Sequence, residues 1–343
     1  MHPDLAIAAN ISLRSWNTFG IDASASHYLR VSDADQLRTA LADPALKRLP
    51  RLLLGGGSNI VLTGDFDGLV LHMAIMGREL LGGAPDGLAL VRAGAGESWH
   101  GLVEYTLAQG LGGLENLALI PGTVGASPIQ NIGAYGVELK DVFYAASVFD
   151  SATGEVRSMS AADCRFAYRD SIFKQPDGAG LIVLDVTFAL PLAWTPTLGY
   201  AELANAVREA GLTDPTPRQI ADLVVAIRQR KLPDPAVIGN AGSFFKNPVV
   251  SRERCAALLA TFPALVHHAQ PDGSEKLAAG WLIDQCGWKG KSLGAAGVYA
   301  KQALVLVNQG GATGAEVVAL ARAIAADVEA RYGVMLETEP VFV

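Results

Sequence analysis

The sequence predicts an α+β protein built from more than one lobe. Three observations lead there. The 343 residues exceed what one growing core usually serves. Capped helical stretches alternate with strand-like apolar runs. Finally, 37 glycines against only 18% charged residues mark a turn-rich globular chain with a sizeable buried core.

In chain order, Ser32 and Asp33 cap a helix expected over 35–41, and a strand over 52–54 runs into Gly55-Gly56-Gly57. Strands are expected over 68–72 and 88–93, then a helix over 98–109 closed by Gly110, then strands near 145–150 and 181–190. Between Pro191 and Pro217 the pattern breaks into prolines, glycines and a short polar helix, and the domain boundary is placed there. Thr216-Pro217-Arg218-Gln219 is a capping box opening a helix that presents Ile220, Leu223, Val224 and Ile227 on one face and stops before Pro233. Helices are expected near 252–260, 276–285 and 314–331, the last opened by a capping box from Thr313 to Glu316, with strands at Phe244, 303–307 and the final residues.

The charge balance excludes some functions. A net charge of −7 and a pI near 5.4 favour neither nucleic acid nor an anionic membrane surface, so anionic ligands must be met by local basic groups. Cys164, Cys255 and Cys286 fall in no metal-ligand or CxxC spacing, and the histidines, including His267-His268, show no ligand spacing and read as surface residues; no metal is expected. Residues 1–10 lack a basic run ahead of an apolar one, and the apolar stretch 181–194 is short and carries Asp185 and Pro191. A cytoplasmic protein without a membrane span is therefore expected, and as a monomer.

Two segments carry candidate chemistry. Leu52-Leu53-Leu54-Gly55-Gly56-Gly57-Ser58-Asn59 is a strand entering a turn whose side-chain-free residues let backbone N–H groups approach an anion, although a glycine cluster after a strand is often only a tight turn. The second, Ile120-Pro121-Gly122-Thr123-Val124-Gly125-Ala126-Ser127-Pro128, continues through Gln130, Asn131, Gly133, Ala134, Tyr135 and Gly136. Two such loops suggest one long phosphate-bearing ligand.

With Asn17-Thr18-Phe19-Gly20, Tyr168-Arg169-Asp170-Ser171, the run 239–248 and Ala278-Gly280-Trp281-Leu282-Ile283, these segments make the chain resemble the UDP-N-acetylenolpyruvoylglucosamine reductase family over nearly its whole length. The flavin-binding half of that family is shared with vanillyl-alcohol-oxidase-type flavoenzymes. The resemblance implies an FAD-binding domain in two lobes, 1–70 (joined by the last few residues of the chain) and 71–215, with a substrate-binding α+β domain over 216–343. It implies non-covalent FAD, reduction of the flavin by NADPH, departure of the nicotinamide, and entry of the enolpyruvyl UDP-sugar into the same place. Hydride arriving at the methylene carbon leaves negative charge on the adjacent carbon and carboxylate, which the site must hold and then protonate.

By the same resemblance, Arg169 is the cation at the carboxylate, Ser243 the proton donor and Glu339 the terminal catalytic glutamate. Arg169 could otherwise pair with Asp163 or Asp170, Ser243 could be a turn residue, and Glu337 competes with Glu339. Where the family commonly has an aliphatic residue and then arginine after this glutamate, Pro340 and Val341 stand instead. The cofactor set is Gly55, Gly56, Gly57, Ser58, Asn59, Pro121, Gly122, Thr123, Gly125, Ala126, Ser127, Gly133, Tyr135 and Arg228. Lys231, Asn247, Gln302 and Tyr200 match substrate positions, Tyr200 as the covering tyrosine of the branch with an inserted loop, while Arg228 and Lys231 also read as cations ending a helix.

Three alternatives are weighed against this. An oxidase on the same scaffold often attaches FAD through histidine or cysteine, and neither glycine segment contains one. A sugar-nucleotide binding protein without turnover would not need Arg169, Ser243 and Glu339 together. A serine hydrolase lacks G-x-S-x-G around Ser243.

Overall fold

The computed structural model describes residues 5–343; the sequence reading of 1–10 lies partly outside them. Strands and helices alternate irregularly, and the chain divides into two compact units. One comprises 25–56 and 67–230 with the described part of 1–11, the other 12–24, 57–66 and 231–343. The division thus falls at Arg230–Lys231, not within the proline-rich stretch, because the helix Pro217–Lys231 buries Ile220, Val224 and Ile227 in the core of the first unit.

The first unit carries two sheets. One orders Ala8–Ser12, Ser24–Val31, Phe66–Met73 and Arg51–Leu54 side by side, with Arg51–Leu54 parallel to Phe66–Met73. The other is five-stranded, with Leu181–Pro191 at its centre between Phe143–Asp150 and Leu88–Gly94, all antiparallel, and Val156–Ser160 and Arg78–Leu81 at its edges. Helix Ala34–Ala42, capped by Asp33, packs its Leu37, Ala40 and Leu41 into a core shared by Leu29, Leu69 and Leu71 of the first sheet and Phe149, Ile182 and Leu184 of the second. That common core makes one compact unit of the two lobes expected from sequence. Helix Trp99–Ala108 starts at the Ser98 cap and ends before Gly110, whose φ of +74° suits glycine. Trp99 lies edge-on to Phe188 in the larger core.

In the second unit a four-stranded antiparallel sheet orders Gly239–Ser243, Val305–Asn308, Ala296–Val298 and Ser292–Leu293. The long helix Gly314–Tyr332, opened by the predicted Thr313/Glu316 box and closed by Gly333 at φ +59°, buries Val317, Leu320, Ile324 and Val328. A smaller sheet orders Val249–Val250, Glu275–Leu277 and His267–Ala269 beside helix Arg252–Thr261.

Here the sequence reading needs correction. The helix expected from 276 begins only at Ala279, because Lys276 and Leu277 pair across strands with His268 and His267. Strand character expected at Phe244 stops at Ser243. The last residues do form a strand: Val341–Phe342 runs parallel to Ile60–Val61.

Candidate functional site

The two glycine segments meet within the first unit. A Cβ on Gly55 would come 2.4 Å from Thr123 Oγ1, and one on Gly56 3.0 Å from Gly122 Cα, so glycine is required for one loop to lie against the other. Gly125 is packed as tightly, 2.5 Å from Ala95 Cβ by the same construction. These glycines thus allow close backbone packing and also leave some donors bare. The N–H groups of Gly56, Gly122 and Thr123 donate to no described acceptor.

The dense cradle expected over 121–127 is narrower than its sequence suggested. The N–H groups of Val124 and Gly125 are spent on the carbonyls of Glu97 and Ala95, and those of Ala126 and Ser127 on Thr123 and Val124 in a 3-10 turn. Ser127 is buried with its hydroxyl donating to Val124 O at 2.6 Å, while Pro121 and Ala126 are exposed.

Tyr135, Arg228 and Tyr200 cluster in the same unit. Burial pushes the Tyr135 phenol up to about 12, and a side-chain hydrogen bond joins it to Arg228. Burial works against the charge of Arg228 and lowers its pKa, with Tyr135 opposing that shift. The Tyr200 ring stands edge-on to Tyr135 at 5.1 Å, and Asn116 Nδ2 ties the segments together by donating to Tyr135 O at 2.8 Å and Thr197 O at 2.9 Å. Asn116 Oδ1, Thr123 Oγ1 and Arg228 Nε are buried and have no partner. Buried polar atoms are normally satisfied, so three open valences in the unit that carries Gly55, Gly56 and the second glycine segment fit a polar ligand such as FAD.

Arg169 occupies the tip of a tight turn between Ala167 and Asp170 at φ +54°, a conformation uncommon outside glycine and enriched at functional sites. Its Nη2 donates to Gly133 O at 2.8 Å, and a Cβ on Gly133 would sit 3.2 Å from its Nη1, so Gly133 makes room for the guanidinium. The rival acids are engaged locally. Asp163 closes a capping box with Ser160, and Asp170 accepts from Ser171 N and Gln175 Nε2. Asn131, named within the second segment but given no role by the sequence, is fully buried; it donates to Glu138 Oε2 and Ala167 O and accepts from Lys140 N, pinning the loop before Arg169 to that segment.

The second unit brings Ser243 and Glu339 together. Ser243 is exposed at the end of its strand, just past a register shift created by Ala241 and Gly242, with Gly242 at φ +69°. Such bulges re-aim side chains. Asn240 holds this one: its Nδ2 donates to Pro233 O and Ile238 O, and its Oδ1 accepts from Gly242 N at 2.9 Å. Glu339 is 9% exposed; its N–H donates to Phe244 O at 2.9 Å, and its carbonyl accepts from Asn59 Nδ2 at 3.2 Å. Glu337 instead forms an ion pair with Lys246 at 2.8 Å, its side chain 73% exposed, which favours Glu339 of the two.

Pro340 and Val341 acquire a role here. Proline sacrifices no hydrogen bond between Glu339 and Val341, whose N–H donates to Asn59 O, and the terminal strand then clamps the glutamate in place. Gly57, at φ +60°, belongs to this unit as well: a Cβ would meet Trp16 O at 1.9 Å. Its carbonyl accepts from Thr18 N, and its buried N–H donates to no described acceptor. Ser58 lies half-buried in the following turn, and Lys231 half-buried at its helix end.

Asn247 and Gln302 have work within the protein. Asn247 Oδ1 accepts from Ala279 N at 3.0 Å, capping a helix whose own N-cap supplies no side-chain bond, and Gln302 Oε1 accepts from Leu304 N at 3.3 Å. No helix among the described residues is long and apolar enough to cross a membrane.

One unit with two sheets, paired glycine loops and unfilled buried polar valences, and another presenting a serine and a buried carboxylate, are the parts of a flavin-dependent oxidoreductase; residues 25–160 match the FAD binding domain family. Residues 234–343 match the C-terminal domain of UDP-N-acetylenolpyruvoylglucosamine reductase. Proteins of that name from Ralstonia nicotianae and Azoarcus sp. are each 57% identical to this chain, over 95% of it and 96% of the first protein, and over 99% of it and 99% of the second. The chain belongs to the UDP-N-acetylenolpyruvoylglucosamine reductase family. The crystal structure of the Thermus caldophilus reductase shares the fold, with a TM-score of 0.68 at 24% identity over 98% of this chain and 99% of that one.

Proposed function

We propose that this chain reduces UDP-N-acetylglucosamine enolpyruvate to UDP-N-acetylmuramate at the expense of NADPH, in peptidoglycan precursor synthesis, with Arg169, Ser243 and Glu339 as its catalytic residues. Bound FAD supplies the chemistry of taking a hydride from NADPH and giving it to the enolpyruvyl methylene carbon. Arg169, permanently charged, holds the substrate carboxylate by two parallel hydrogen bonds. The Ser243 hydroxyl gives its proton to the carbon beside that carboxylate, and Glu339 supports the charge that develops there.

Gly55 to Asn59, Pro121 to Ser127, Gly133, Tyr135 and Arg228 bind the cofactor in this reading. The unfilled valences of Arg228 Nε and Thr123 Oγ1 are the observation that carries it. Tyr200, Lys231, Asn247 and Gln302 serve the UDP-sugar, the last two while keeping their internal bonds. The division of labour in this reading follows 1–70 and 71–215 for FAD, extended by the helix residues up to Arg230, and the remainder of 216–343 for substrate, in a cytoplasmic monomer.

The test is anaerobic spectroscopy of the purified protein. NADPH bleaches its flavin absorbance, and the enolpyruvyl UDP-sugar restores it. A colourless protein that takes up no added FAD, or a reduced flavin that the sugar leaves bleached, would overturn the assignment.

A further inference from the structure

Cys255, His267 and Glu275 come from three elements of the second unit, and one candidate ligand atom from each lies within 4.8 Å of the other two. Cys255 stands in the first turn of helix Arg252–Thr261 and is 2% exposed. His267 and Glu275 are diagonal neighbours on adjacent strands, since Ala269 pairs with Glu275 and His267 with Leu277, so both project from the same sheet face. His267 Nδ1 lies 2.8 Å from Glu275 Oε2, with side-chain exposures of 34% and 12%.

We infer that Cys255, His267 and Glu275 form a binding site for zinc or a chemically similar divalent cation. A thiolate, an imidazole and a carboxylate are the donor types zinc combines, and three protein ligands leave its fourth position to water. Metal–ligand bonds of about 2.0–2.3 Å need donors roughly 3.3–3.8 Å apart, so the ion takes the place of the 2.8 Å contact between His267 and Glu275, which opens slightly, and Cys255, within 4.8 Å of both ligand atoms, needs only a small shift. Cys255 gives up its thiol proton on coordination, and the ion neutralises the thiolate and Glu275 together.

No ligand spacing in the sequence marks this site. Its ligands are twelve and eight residues apart, and the histidine read as a surface residue is half-buried against a carboxylate. The cation enters along the part-exposed edge of His267 and ties helix Arg252–Thr261 to the strands Glu275–Leu277 and His267–Ala269.

Metal-depleted, FAD-loaded protein is dialysed against zinc and its metal content measured. Parallel titration with Co2+ reads the ligand-field absorption of a tetrahedral site at red wavelengths, where flavin is transparent. One equivalent bound per chain, with affinity reduced at least tenfold in both Cys255→Ser and His267→Gln and retained in His268→Gln, is the expected result. If Cys255→Ser fails to fold, the half-exposed His267→Gln decides alone. Absence of stoichiometric uptake, or uptake unchanged by His267→Gln, overturns the site; flavin content of each variant reports whether the fold is kept.

Discussion

The two units handle buried polarity differently. Of the buried polar side chains among the described residues, the first unit holds His72, Glu97, Thr106, Glu115, Asn116, Ser127, Asn131, Ser171 and Thr187, while the second holds only Asn17, Asn240 and Glu339. In the second unit all three are wired to the backbone around Ser243. Asn17 braces the turn whose Thr18 carbonyl receives Asn240 N–H, Asn240 holds the bulge, and Glu339 is bonded to Phe244. The first unit also captures backbone, through Asn116, Asn131 and Ser127, but adds a cluster in which functional side chains pack on one another, that of Tyr135, Arg228 and Tyr200. A site built on main chain tolerates losing one functional side chain without reorganising; a cluster of buried partners does not.

The largest effect should fall on Ser243. With its hydroxyl removed in Ser243→Ala, substrate reduction is expected to drop about 10²- to 10⁴-fold, the usual contribution of a positioned proton donor. Flavin content and bleaching by NADPH should stay as they are, because bulge and backbone survive. Stopped-flow measurement of the two half-reactions separates these outcomes. Loss of flavin in this variant would show that the second unit is no more tolerant than the first, and the contrast would fail.

Arg228→Met probes the other side. Removing one charged donor from a buried cluster typically costs about 1.5–3 kcal/mol, roughly a ten- to hundredfold loss of FAD affinity if the open Nε valence is the cofactor's. Equilibrium dialysis followed by flavin fluorescence measures it. Unchanged retention would mean that the guanidinium only steadies Tyr135.

How much of this was readable in advance follows the range of the forces involved. Caps are local, so Asp33, Thr216 and Thr313 mark their helices correctly in the sequence. Strand pairing is not local. Ser24–Val31 escapes a reading by pattern because its inward positions Ala25, His27, Leu29 and Val31 include a small residue and a histidine, which blur the apolar alternation, and Lys276 and Leu277 read as helix until their neighbours across the sheet are known. The glycine segments were legible as loops, but which of their donors stay unspent depends on Ala95 and Glu97, residues no spacing rule connects to them. The bracing roles of Asn116, Asn131 and Asn240 are invisible in the sequence for the same reason: each acts by capturing carbonyls brought near only by folding.

The smallest effect tests whether buried polar pairing also makes the first unit acid-sensitive. Tyr28 Oη and His72 Nδ1 lie 2.6 Å apart, and burial, reinforced by Arg30, lowers the pKa of His72 below its ordinary 6.5. The unfolded chain therefore takes up the proton more readily than the folded one. This burial stabilises fully above about pH 6.5, and the benefit is lost as pH falls through the depressed folded value. Melting temperature should fall by a few degrees, about 2–4 °C, between pH 7.5 and the acid side, and the slope should flatten in His72→Gln, which keeps a polar partner for Tyr28 but does not titrate. An equal slope in both proteins would move the acid sensitivity elsewhere, and Glu339, the one buried carboxylate of the second unit among the described residues, would be the next side chain to replace.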